Sequence, residues 1–170
     1  MDGIGEACFQ FRTTFYETVW PTWALGIPNL LANIGAFVSN WYSGKIIKKV
    51  GSKALIIFSN IYDIFSNCLA VLMNNVFSPF VMVSNSVLPA SVAEEEIGQK
   101  LYSDEYRASM GSVKNLFGSI LFSIISVLVG VVADNYGIIT SFIVFQLAQI
   151  IPIIIYLSIF KDLKETSEKV

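Results

Sequence analysis

The chain contains no histidine, only two cysteines and few charges, since Asp, Glu, Lys and Arg together make up 14% of its 170 residues. Without histidine, the commonest general base and a principal zinc ligand are both missing. Cys8 and Cys68 stand far apart in apolar surroundings and read as packed thiols rather than as metal ligands or nucleophiles. There is no Gly-rich phosphate loop, no metal-ligand spacing and no pair of acids inside an apolar segment. The sequence therefore reads as a protein that is not an enzyme, with no cofactor and no metal. A net charge of −2, with the basic residues in short clusters, gives no reason to expect a nucleic-acid partner. The first stretch, Met1 to Arg12, carries acids where a secretory signal has bases and lacks an apolar core, so insertion is expected from internal segments.

Apolar sequence is abundant instead. Hydrophobic residues make up 54% of the chain, and the mean hydropathy of +0.63 lies outside the balance usual for water-soluble domains. Five uncharged or nearly uncharged runs are expected to cross a lipid bilayer, at about 20–42, 54–73, 76–93, 115–133 and 138–160. The first is bounded by Trp20, Trp23, Trp41 and Tyr42, as an interfacial aromatic belt requires. Pro28 and Gly35 within it are tolerated in lipid, where neighbouring helices satisfy the freed backbone groups. Residues 1–19 read as a partial helix at the extracytoplasmic edge, and 161–170 as a cytoplasmic tail. The fold class is thus an all-α, multi-pass transmembrane helix bundle.

Five crossings place alternate connections on one side of the membrane, and the basic residues follow that parity. Lys45, Lys48, Lys49 and Lys53, then Lys100, Arg107 and Lys114, then Lys161, Lys164 and Lys169 all fall on one side, leaving Arg12 as the exception. The positive-inside rule makes that side cytoplasmic, which puts the C-terminus inside a cell membrane.

Two motifs at matching separation carry a family resemblance. The connection Gly44, Lys45, Lys48, Lys49, Gly51, Lys53 sets basic residues between two glycines. By itself this pattern is also what simple anchoring of a cytoplasmic loop would produce. Further on, Arg107-Ala108-Ser109 and Ser112 precede an apolar run that closes on Gly130, Ala133, Asp134 and Gly137. In this order the chain resembles the major facilitator superfamily over that fold's eighth to twelfth spans, with Phe9 to Glu17 similar to the outer end of the seventh. One departure is that Ile46 and Ile47 stand where an acid often precedes the second basic cluster.

The resemblance implies half of a major facilitator superfamily-like fold: the C-terminal half of a secondary transporter that moves a small solute, with or without a coupling proton or cation. The partners would be the lipid bilayer and the N-terminal half, missing or on a separate chain. The competing reading is a truncated, non-transporting fragment or a partner subunit of a split transporter. Substrate-path candidates lie on the segments that would face the cavity: Gln10, Arg12 and Tyr16; Asn29 and Asn33, on one helix face at i, i+4; Ser84 and Asn85; Asn115 and Ser119. Each polar residue can equally serve as interhelical glue. Gln146 and Gln149 are expected to bond between helices.

Asp63 is the one ionisable group deep within an expected span, where a charge costs about 2.5–3.5 kcal/mol on insertion scales. Two readings remain open: a coupling carboxylate, or a packing carboxyl beside Asn60 or Asn67. Glu94, Glu95 and Glu96 lie on the same side as Lys45, Lys48, Lys49 and Arg107, forming either a cytoplasmic latch or a solvated loop that sets topology.

Overall fold

The computed structural model describes residues 2–101, 103 and 105–167, with side chains described for 3–101, 103 and 105–160. The described residues are almost wholly helical and contain no strand. The α-helices are α1 Asp2–Val19, α2 Gly26–Val50, α3 Ser52–Met73, α4 Ser78–Val83, α5 Ala90–Leu101, α6 Arg107–Tyr136, α7 Ile138–Ala148 and α8 Ile150–Ser167. Short 3-10 turns occur at Thr22–Ala24 and Ser84–Val87.

Three helical segments are long and apolar enough to cross a membrane: α3, α6, and α7 continued by α8 to Phe160, of 22, 30 and 23 residues. At about 1.5 Å per residue, each exceeds the roughly 30 Å of a bilayer core. The protein is thus a helical chain suited to a membrane. α2, with 25 residues, is long enough but less apolar, because Asn29, Asn33, Ser39 and Asn40 interrupt it.

Several element boundaries differ from those expected. The basic connection after the first run is not a loop: α2 continues through Lys45, Lys48 and Lys49, and the reversal contracts to Gly51, whose φ of +86° suits glycine. The reason is local packing, as Ile46 and Ile47 rest against the cluster of Leu55, Ile56, Ala93 and Phe160. The run 76–93, expected as one span, is broken into α4, a 3-10 turn and the start of α5. Pro89 bars its predecessor from helical geometry, and Leu88 is extended at φ −94°, ψ 124°. The hydroxyls of Ser84 and Ser86 donate to the carbonyls of Val81 and Val83, occupying acceptors a continuing helix would use. Glu94, Glu95 and Glu96, expected in a loop, are helical within α5. α6 begins at Arg107, well before Asn115. The helical hydrogen bonding of the last run is interrupted at Gln149, where Pro152 has no N–H to offer Ala148.

α1 is also more than an edge helix. Its far end abuts the middle of α6, where a Cβ on Gly3 would lie 2.7 Å from Leu121 Cβ and 2.8 Å from the Gly118 carbonyl oxygen. Its other end is tied by the Trp20 indole N–H, which donates to the Val76 carbonyl at 2.8 Å. Between the two, Phe15 and Tyr16 are buried with Ala70 and Val71 of α3, Met82 of α4 and Phe142 of α7. A third cluster sets Cys8 against Val129 and Phe145. α6 otherwise leans outward: Leu116, Phe117, Ile120, Ile124 and Val127 are exposed along it. Such a surface suits hydrocarbon or another helix and would be a liability in water.

Candidate functional site

Three elements converge on Asp63 of α3. Arg12 of α1 donates through Nη2 to Oδ1 at 2.8 Å, Asn85 in the second 3-10 turn donates through Nδ2 to the same oxygen, and Gln146 of α7 donates through Nε2 to Oδ2 at 2.9 Å. Gln149 then donates to Gln146 Oε1 at 3.2 Å. Gln146 is wholly buried, and Arg12 is 7% exposed. An ionised acid in such surroundings persists only when its oxygens are paired, and here they accept three donors. The Arg12 guanidinium also lies over the Phe9 ring, 5.2 Å from its centroid.

The packing reading of Asp63 sets it beside Asn60 or Asn67, and neither amide bonds to it. Asn60 donates to its own helix at the Ile56 carbonyl, while both polar side-chain atoms of Asn67 are buried without a hydrogen bond. A cation on another helix satisfies a carboxylate better than a neutral amide on its own helix. Gln146 does bond between helices, as expected. Two more buried atoms lack partners, Arg12 Nε and Ser59 Oγ.

A cavity of about 400 Å³ lies beside this knot, walled by Arg12, Ser59, Asp63, Asn33, Asn85 and Gln149 among others. A second, of about 240 Å³, is formed by Glu6, Asn115, Gly118, Ser119 and Phe122. Glu6 lines both. Polar side chains of α2, α1 and α6 thus occur on one face, joined at Glu6. Of the expected path residues, Arg12, Asn33, Asn85, Asn115 and Ser119 reach these cavities. Gln10 is exposed and donates to Glu6 at 3.0 Å. Tyr16 is in the apolar core. Asn29 is exposed and does not line either cavity. Ser84 shares a 2.9 Å hydrogen bond with Tyr62.

Sequence reasoning missed Glu6, Ser59 and Ser86 as lining residues. For Glu6 a signal existed, the i, i+4 pairing with Gln10 on one face of a helix.

At the other end of the bundle, Glu96 accepts hydrogen bonds from Lys100 and from Ser52 Oγ, the latter at 2.7 Å. First Lys100 and then Ser52 hold its carboxyl below the usual carboxylate range. Lys45 stacks on Tyr42 at 5.9 Å and Lys53 on Phe160 at 5.5 Å. Lys48 and Lys49 are exposed, as is Gly44. Arg107 Nη2 donates to the Gln99 carbonyl at 3.4 Å, and with Glu94 and Glu95 it borders a cavity of about 320 Å³. Of the acids of α5, Glu96 is thus tied to α3 through Ser52, and its ion pair, with Lys100, is within α5 itself. Gly130 and Asp134 lie near the opposite end of α6, which reverses at Gly137 with φ +85°. Among the described residues, no three His, Cys, Asp or Glu side chains form a group that could hold a metal ion. Comparison with protein-family models, curated proteins and solved structures returned no match to this chain.

Proposed function

We propose that this chain is one wall of a solute pathway through a membrane, working as the C-terminal half of a secondary transporter similar to the major facilitator superfamily. A small solute would cross by alternating access, with one helical half rocking against the other. The observation that carries this reading is the polar continuity through Glu6, which joins Asn33 of α2 to Asn115 and Ser119 of α6 on otherwise apolar helices. Facing lipid, such a stripe would be costly, whereas facing a water-filled path it is useful. The exposed apolar flank of α6 supports a companion as well as lipid, and that favours the second reading, a non-transporting partner subunit. The C-terminal tail is assigned to the cytoplasm from the distribution of Lys and Arg.

Cysteine accessibility tests the pathway. In a Cys8→Ala, Cys68→Ala background, Asn33→Cys and Ser119→Cys should react with a water-soluble, membrane-impermeant maleimide, and Leu116→Cys on the apolar flank should not. Equal protection of all three would mean that the polar face is not wet and the proposal is wrong.

A further inference from the structure

We propose that the two cavities that share Glu6 take a small organic cation carrying a single positive charge, with Glu6 as its counter-ion. The inference rests on the pathway reading above and names the class of solute. Its basis is charge accounting over the lining of the two cavities. Arg12 and Asp63 are committed to each other at 2.8 Å and cancel. Glu6 is exposed to both cavities, and the one hydrogen bond it accepts comes from a neutral amide, Gln10. No cation pairs with it among the described residues. Lys114, the basic residue next along α6, borders the separate cavity at the Arg107 end. The described lining of the two cavities thus carries one uncompensated negative charge.

The rest of the lining selects against a bare inorganic ion. The cavities, of about 240 and 400 Å³, approach the size of small-molecule sites. Their walls mix Phe9 and Phe122 with amides and hydroxyls, surfaces that suit an organic cation's carbon body and polar substituents. An anion would meet Glu6 and Asp63 against the single charge of Arg12, and an uncharged solute would leave the Glu6 carboxylate beside both cavities without a counter-ion. Asp63, with its oxygens already accepting three donors, is the fixed partner of Arg12 rather than the exchangeable one.

The test titrates the full chain in lipid nanodiscs, followed by thermal shift. The probes are ethanolammonium, choline, choline's uncharged carbon analogue 3,3-dimethylbutanol, the 3,3-dimethylbutyrate anion and sodium chloride. Ethanolammonium or choline should bind more tightly than the alcohol and the anion by about tenfold or more. Glu6→Gln should erase that preference, and Glu6→Asp, which keeps the charge, should retain it. The inference is overturned if the alcohol matches choline, if sodium alone gives the shift, if Glu6→Gln responds like the native chain, or if no probe binds. Maleimide labelling of Ser119→Cys in the same nanodiscs separates the two readings. Labelling without an ammonium preference removes the solute class and leaves the pathway; absence of labelling removes both.

Discussion

At the scale of single residues, the contact between Arg12 and Asp63 dominates. Each charge alone would be expensive inside the bundle, and each is held because the other is present. Asp63→Ala should therefore lose about 3–5 kcal/mol of stability, because it leaves the buried Arg12 guanidinium unpaired, and Arg12→Ala should lose less, because Asp63 is 22% exposed and keeps Asn85 and Gln146. Replacing both, as Arg12→Met with Asp63→Leu, should cost far less than the sum of the two. Denaturant unfolding in detergent, run as a double-mutant cycle, measures this; additive losses would show that the pair is not coupled. The pair was half legible in the sequence. Arg12 is the one base off the side expected to be cytoplasmic, and Asp63 the one acid within an expected span, yet nothing in the order of residues says that α1 reaches α3. Only packing brings together positions 51 apart in the chain.

At the scale of elements, the interrupted run 76–93 stands out. Pro79 and Pro89 are plain in the sequence, but an uncharged run of that length reads equally well as one helix or two, because apolar content measures solvent preference and not backbone continuity. The 3-10 turn at Ser84–Val87 is also the seat of a close crossing. A Cβ placed on Gly35 of α2 would lie 2.0 Å from Ser86 Oγ and 3.1 Å from Ser86 Cβ. Gly35→Ala should push α2 away from the turn and destabilise the bundle by about 1–3 kcal/mol, as overpacking does, and Ser86→Ala in the same chain should restore part of the loss. Thermal unfolding of the single and double variants decides this; an unchanged Gly35→Ala protein would show that the crossing is loose. Gly35 was visible as a tolerated helix glycine, but its partner was not, since Ser86 is far along the chain.

At the scale of the whole molecule, composition carried most of what could be read. Low charge and abundant apolar residues separate a membrane chain from a soluble one, and three helices of sufficient length agree with that. Arg107 and Asp134 lie towards opposite ends of α6. Ser103 precedes the same helix and Asn135 lies in its last turn, so in intact cells an impermeant maleimide should label Asn135→Cys from outside and Ser103→Cys only after permeabilisation. The reverse pattern would invert the orientation proposed from the Lys and Arg distribution. The polar wall itself was legible as separate residues on separate runs, and its continuity was not, because Glu6 falls in a segment too interrupted to read as membrane-embedded.

The groups that satisfy Asp63 also have an order of synthesis. Arg12 leaves the ribosome first, Asp63 follows, Asn85 next and Gln146 last, 83 residues after the acid it serves. While the chain is being made, α3 therefore waits with its carboxylate only partly satisfied, and it becomes fully so when α7 arrives. Completion of the bundle is thereby recorded at one carboxylate, and a chain stopped before Gln146 would carry an unfinished polar group in its interior.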